Sequence, residues 1–189
     1  MNNKLLIKNA FQTILEMFDD RNIDTTAFDM NKINESILSN AYKVGFEIVV
    51  DDIKIVFYLA ERFRLAELKD LYKDIATVYN TQILVVKDTV SANNTKAISA
   101  MVKNIQFFDI KRLQFNITHH KYVPKHELVA SDEVKNIMDI YALRSKTQLP
   151  LISKNDPIAK YYGLKIGDIV KITRTSITSG ETIIYRCCA

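Results

Sequence analysis

Glycine and proline are almost confined to one end of this chain, and that confinement constrains the fold more than any other feature. Gly45 alone precedes residue 119; Pro124, Pro150, Pro157, Gly163, Gly167 and Gly180 all follow it. Proline fixes φ and lacks an N–H, while glycine reaches positive φ without steric penalty, so both punctuate backbone structure. A long segment nearly free of them has few enforced stops, whereas a short segment rich in them must turn often. Charge divides at the same place. Residues 1–118 carry 15 Lys/Arg and 15 Asp/Glu; residues 119–189 carry 11 against 7, which is the whole of the net +4. The expectation is an α+β chain of two modules, 1–118 and 119–189: a mixed sheet with covering helices, then a small α/β unit.

In the first module, Ile7, Phe11, Ile14, Leu15 and Phe18 recur at helical spacing. That helix should stop near Asp20-Arg21-Asn22, because asparagine is the second choice after glycine for the left-handed position beyond a helix. Asp29 is placed to cap a second helix carrying Ile33, Ile37 and Leu38. Two strand-like runs follow, Phe46 to Val50 and Ile53 to Leu59, joined by an Asp51-Asp52 turn. Leu65, Leu68, Tyr72, Ile75 and Tyr79 predict an amphipathic helix, Thr81 to Lys87 a buried strand, Ser91 to Met101 a helix, and Ile105 to Phe108 a last apolar strand.

In the second module Ser131 is a candidate N-cap for a helix bearing Val134, Ile137, Met138 and Tyr141, which "QLP" (Gln148 to Pro150) should break. Asp156-Pro157 predicts a helix start: an aspartate cap, then proline in the first turn, where no N–H is needed. Gly163 should end that helix and Gly167 open a strand. Asp168 to Arg174 and Thr182 to Cys187 alternate as strands, with Gly180 in the turn between them. Lys171 and Thr173 fall on one strand face; Val170, Ile172 and Arg174 fall on the other.

The residues that could carry chemistry argue mostly against it. Gly163 and Gly167 are four apart, between a helix and a strand, which is the wrong spacing and order for a phosphate-binding loop. His119, His120 and His126 have no acid or cysteine cluster to complete a metal site. Cys187 and Cys188 are adjacent, so they form no disulfide framework, and they suit a reducing compartment as small strand-closing residues. No apolar run reaches bilayer length. Residues 1–8 lack the apolar region and small-residue cleavage site of a secretory signal. The expectation is no catalytic residue, no cofactor, no metal, no membrane and no small-molecule substrate.

From Asn116 onward the chain resembles the fifth subunit of eukaryotic-type RNA polymerases, shared by polymerases I, II and III, and the archaeal counterpart of that subunit. The resemblance rests on "NIT" (Asn116 to Thr118), His120, Val123-Pro124, His126, Tyr141, Leu143, "QLP", "DPIAKYYGLK", "GDIVKITR", Ser176, Thr178, Gly180 and Tyr185-Arg186. The first module resembles the family's jaw domain more loosely, with "DRN" where Asp-Arg-Gly is usual and "TVSA" (Thr89 to Ala92) where Thr-Pro-Ser-Ala is usual. The archaeal counterpart lacks this jaw, so the chain looks eukaryotic-type, cellular or carried by a large DNA virus. Val90, Ile166, Thr175 and the Cys187-Cys188-Ala189 tail depart from the cellular pattern.

The resemblance implies a non-catalytic polymerase subunit. Its second module would be an assembly domain that docks on the largest subunit and lies near neighbouring subunits, through Pro150, Asp156, Pro157, Tyr161, Tyr162, Gly163, Lys171, Arg174, Tyr185 and Arg186. Its jaw would lie beside the downstream duplex, with Thr89, Ser91, Asn93 and Lys96 near the DNA backbone. A helix N-terminus and hydroxyls suit phosphates and would position DNA without reading sequence. The location would be the nucleus for a cellular protein, and the virion or a cytoplasmic viral factory for a viral one. Two other classes stay open: a metal-dependent nuclease using Asp51 and Asp52, and a free DNA-binding module with salt-sensitive affinity.

Overall fold

The computed structural model describes residues 3–40, 43–61, 63–72, 79–87, 90–176 and 180–189. They form two compact units, Met1–Phe115 and Asn116–Ala189.

The first unit opens with α1 (Asn3–Asp20), which buries Ile7, Ala10, Phe11, Ile14, Met17 and Phe18 along one stripe. It ends where Asn22 adopts φ 56. The Asn22 N–H donates to the Asp19 carbonyl at 2.9 Å and the Ile23 N–H to that of Phe18 at 2.9 Å. This pair of bonds is a Schellman closure, and it satisfies carbonyls the helix would otherwise leave open. Asp29 caps α2 (Met30–Asn40), its Oδ1 accepting from the Asn31 and Lys32 N–H groups at 3.0 and 3.4 Å. Ile33 and Ile37 are buried, one turn apart, but Leu38 is exposed. One residue on from Ile37, Leu38 is rotated about 100° off the apolar stripe, so the expectation that it joins the core is corrected.

β1 (Gly45–Val50) and β2 (Ile53–Tyr58) form a hairpin with Val50 opposite Ile53. Asp51 takes φ 47, the positive value a two-residue hairpin turn requires. Next come α3 (Leu65–Leu71), β3 (Thr81–Val86), α4 (Ala92–Met101) and β4 (Ile105–Asp109). Ile75 lies outside the described residues. Tyr79 is not helical, which corrects the helix expected to include it; it lies just before β3, its ring 5.7 Å from the Lys54 ammonium. The sheet order is β1-β2-β3-β4, with β1 antiparallel and the rest parallel.

Parallel strands are joined by crossovers that cover their faces, so β2 and β3 read as mostly apolar runs and are buried almost throughout. One face gathers Val56, Tyr58, Leu84 and Val86 with Leu68, Tyr72, Ile98 and Val102 from α3, α4 and their ends. Lys54 projects into the same side and is 4% exposed. Its ammonium sits 2.7 Å from Glu47 and over the rings of Tyr72 and Tyr79, so the desolvated charge has compensation. Burial, and then Glu47, push the Tyr72 phenol well above its ordinary range.

The second unit holds β5 (Lys125–Leu128), α5 (Ser131–Ile140), β6 (Leu151–Ile152), α6 (Pro157–Tyr161), β7 (Ile169–Ser176) and β8 (Gly180–Cys188). The strand order is β5-β7-β8-β6, with β6 parallel to β8 and the other pairs antiparallel. Each face carries its own small core. Ile169 and Cys187 meet Val129, Ile137 and Leu149 on the α5 side. Val170, Ile172 and Cys188 meet Ile152, Ala159 and Leu164 on the α6 side. The adjacent cysteines thus point to opposite faces as buried free thiols, the Cys188 thiol pushed up chiefly by burial.

Two helix-boundary expectations are corrected here. α5 is capped by Ala130, which has extended φ/ψ and no side-chain bond, so Ser131 is already helical. Glu133 and Val134 both donate to the Ala130 carbonyl, and Asp132 and Glu133 in the first turn complement the helix dipole. The same helix stops before "QLP". Ala142 takes φ 50, and Ala142 and Leu143 donate to the carbonyls of Asp139 and Met138, a second Schellman closure.

Candidate functional site

The Asp156–Gly163 stretch shapes the α6 side of the second unit. The Asp156 Oδ1 accepts from the Ile158 N–H at 2.9 Å, and Pro157 fills the first helical position. Six residues after Pro157 the chain turns at Gly163, φ 64, with the Leu164 N–H donating to the Ala159 carbonyl at 2.9 Å. This closure brings Leu164 onto Ala159 in the small core. Gly167, φ 89, donates its N–H to Cys188, and Cys188 donates to Asp168, so the β7 entry is laid against the end of β8.

Tyr161, placed among the docking residues from the sequence, is 3% exposed. Its hydroxyl accepts from the Asn116 Nδ2 at 2.9 Å. Asn116 is itself buried, and its Oδ1 accepts from the Thr118 N–H and Oγ1 at 2.9 and 2.7 Å. Within the unit, Tyr161 is therefore an internal strut from α6 to the unit's first residue. Tyr162 is half-buried, edge-on to Tyr161 at 5.2 Å.

The remaining docking candidates separate by sheet face. Cross-strand partners point to the same side of a sheet. The register pairs Lys171 with Tyr185 and Glu127, and Thr173 with Ile183 and Lys125, which places these six on the α5 side. There the Tyr141 ring meets Tyr185 edge-on at 5.9 Å. The Lys125 ammonium lies 2.6 Å from Glu127 and, with Lys171 beyond it, holds that carboxyl below its usual range. Pro150 is exposed and its carbonyl accepts from the Cys187 N–H.

On the α6 side, Arg186 pairs with Val170 and Arg174 with Thr182. Arg174 is exposed, while Arg186 is partly buried and its Nη1 donates to the Leu151 carbonyl at 2.9 Å. His126, opposite Ile172 on β5, is 8% exposed and lies within electrostatic reach of Asp156, Arg174 and Arg186. Its Nδ1–H donates to the Pro124 carbonyl at 2.7 Å. Burial depresses the imidazole's pKa below its ordinary value, and the two arginines add to that; the Pro124 bond and Asp156 oppose it. Sequence reasoning left His126 either structural or solvent-facing, and its burial shows the former. The signal available was its alternation with Leu128, which puts both on the Ile172 face of the pairing.

In the first unit, Ser91 caps α4, its Oγ accepting from the Asn94 N–H at 3.4 Å. Asn93 and Lys96, three apart, share an exposed face roughly opposite the buried Ile98. Thr89 lies outside the described residues. The aspartates of the nuclease reading serve a turn: Asp51 supplies the positive φ, and the Asp52 Oδ2 accepts from the Asn80 Nδ2 at 2.8 Å. Among the described residues, no group of three or more His, Cys, Asp or Glu comes together.

Comparison with known proteins completes the picture. Residues 115–188 match the family described as RNA polymerase Rpb5, C-terminal domain. The subunit rpabc1 of DNA-directed RNA polymerases I, II and III from Dictyostelium discoideum is 33% identical over 188 residues, 94% of each chain. The DNA-directed RNA polymerase subunit Rpo5 of Archaeoglobus fulgidus is 47% identical over 74 residues, 39% of this chain and 96% of the archaeal one. Subunit 5A of Arabidopsis thaliana RNA polymerase V is 30% identical over 137 residues, 71% of this chain and 61% of that one.

Proposed function

Because the chain belongs to the Rpb5 family of DNA-directed RNA polymerase subunits, we propose that its Asn116–Ala189 unit docks on the largest polymerase subunit, while its Met1–Phe115 unit forms a jaw beside the downstream duplex. The protein is a non-catalytic, structural component of a multisubunit RNA polymerase, and its partners are other polymerase subunits. One observation carries the division of labour. The archaeal relative is matched over nearly its whole length by 74 residues of this chain, at higher identity than the full-length relative. A module sufficient for a polymerase subunit without a jaw is the natural attachment module.

The chemistry suits each role. Lys171, Arg174 and Arg186 project from β7 and β8, where an acidic or hydrogen-bonding protein surface could engage them. On the jaw, the start of α4 offers the Ser91 hydroxyl, Asn93 and Lys96, and Thr89 belongs to the same segment; the helix N-terminus favours phosphate oxygens. Such contacts hold DNA in place without reading its sequence. The location follows the polymerase: the nucleus for a cellular protein, the virion or a viral factory for a viral one.

The test is reconstitution. Wild-type chain is expected to bind the isolated largest subunit, and Arg174→Glu/Arg186→Glu to lose most of that binding. Separately, Lys96→Glu is expected to weaken photo-crosslinking of the jaw to a downstream duplex while leaving assembly intact. Unchanged binding of the double arginine variant would remove the docking surface from this side of the sheet.

A further inference from the structure

The two ends of β8 differ in what lies beside them. At the Cys187–Cys188 end the strand is paired on both sides, by β7 and by the two-residue β6. Along Gly180 to Arg186 it pairs with β7 alone. Hydrogen bonds fix which backbone groups face outward. Cys188 donates to Asp168 on the β7 side, while Cys187 and Ala189 donate outward, to Pro150 and Ile152. The register is continuous, so alternation carries the outward direction to Tyr185, Ile183 and Glu181. Among the described residues nothing pairs with this edge. The segment Thr182-Ile183-Ile184-Tyr185 is β-branched and aromatic, with none of the lysine, proline or bulge that natural proteins use to blunt an edge.

We infer that the Glu181–Tyr185 edge of β8 is completed by an extended, acidic segment of a neighbouring polymerase subunit, added as a strand in line with β6. The inference rests on the docking role assigned to this unit and specifies how it docks. Alternating N–H and C=O groups match another backbone, which is how edge strands bind peptides; phosphates could use only the N–H groups. Beside this edge the cations outnumber its one carboxylate, Glu181, and that balance favours an acidic occupant. Arg186 already leans across the edge to the Leu151 carbonyl, the exposed Arg174 stands opposite Thr182 on the same face, and Lys171 stands beside Tyr185 on the other.

Hydrogen exchange resolved to single residues, run on the free chain and on assembled polymerase, tests this. The amides of Ile183 and Tyr185 should exchange quickly in the free chain and at least about tenfold more slowly in the complex. The inward amides of Thr182 and Ile184 should be protected in both. Ile183→Pro removes an outward N–H that β7 does not use, so it should fold as wild type by circular dichroism yet lose at least about tenfold in retention by the polymerase. Ile183→Val should retain binding. Equal exchange at Ile183 and Tyr185 in the free and assembled chain would overturn the inference, even with docking intact. So would concentration-dependent dimerisation abolished by Ile183→Pro, which would assign the edge to a second copy. Failure of wild type to bind the largest subunit at all would instead remove the docking role itself.

Discussion

The two sheets spend their apolar surface differently. In the first unit β2 is buried from end to end and β3 nearly so, and the apolar face built on Val56, Tyr58, Leu84 and Val86 is closed by the unit's own helices. In the second unit only the lower part of the β7–β8 hairpin is covered. Ile169, Val170, Ile172, Cys187 and Cys188 are buried, while Arg174, Thr175, Glu181, Thr182 and Ile183 stand open. The first sheet has its apolar face covered from within the unit. The second sheet leaves one end of its hairpin uncovered, with an edge that no described residue pairs and cations on both faces, which is the arrangement the proposed docking role would use. The archaeal relative is matched over 74 residues, as many as the second unit holds.

Truncating each sheet should expose the contrast most strongly. Phe57, fully buried on β2 and stacked on Phe46 at 5.1 Å, is expected to cost about 3–5 kcal/mol as Phe57→Ala, through lost burial and the cavity left behind. Ile183→Ala at the open end of β8 is expected to cost under ~1 kcal/mol in the free chain. Urea unfolding of both variants checks this. A loss at Ile183 as large as that at Phe57 would mean the second sheet is already closed in the free chain.

The internal strut of the second unit comes next. Asn116→Ala removes the bond to the Tyr161 hydroxyl and the bonds to Thr118, and is expected to destabilise by about 2 kcal/mol. Asn116→Asp keeps the acceptor for Thr118 and should recover part of the loss. Arg174→Glu should leave the unfolding midpoint nearly unchanged and weaken polymerase binding by about tenfold. Surface charge used for docking behaves in that way, and charge used for folding does not.

His126 gives a pH signature. Its folded pKa lies below the unfolded value near 6.5, so the unfolded chain binds the extra proton first. Stability of this unit should therefore be constant above that pH and fall as pH drops through 6.5, levelling off once the folded imidazole also protonates. His126→Gln should flatten the slope in that window, measured as unfolding midpoints in buffers from neutral to mildly acidic. An unchanged slope would place the titration elsewhere.

Much of this was legible in the sequence because it is local. Asn22, the Asp29 cap, the Asp51 turn and the Asp156-Pro157 start each act on backbone within a few residues of themselves. What was not legible depends on partners distant in sequence or on competition between local signals. Ser131 is a good cap residue, but Ala130 was extended one position earlier and the helix began there. Tyr161 looks like a surface tyrosine until Asn116, 45 residues away, takes its hydroxyl. The docking candidates form one group in sequence, yet period-two alternation and strand register send Lys171 and Tyr185 to one face and Arg174 and Arg186 to the other. Register joins residues that no window of the sequence holds together.

The smallest effect probes the helix ends, where both units use one device with three different residues. α1, α5 and α6 all end in a Schellman closure, with Asn22 at φ 56, Ala142 at φ 50 and Gly163 at φ 64 in the left-handed position. Alanine is the poorest of the three there, because its Cβ crowds the backbone at positive φ. Ala142→Gly relieves that crowding but gives the unfolded chain more freedom, so a net gain of about 0.5–1 kcal/mol is expected. Gly180→Ala is the mirror experiment: φ is +67 and nothing lies within 4 Å of the added Cβ, so any loss is conformational and should be about 1 kcal/mol. If Ala142→Gly gave no gain while Gly180→Ala showed its loss, the α5 ending would be held by its Leu143 and Met138 bond strongly enough to hide the strain. In that case the helix bearing the exposed Ile140 and Tyr141 would be more rigid than its backbone angle alone suggests.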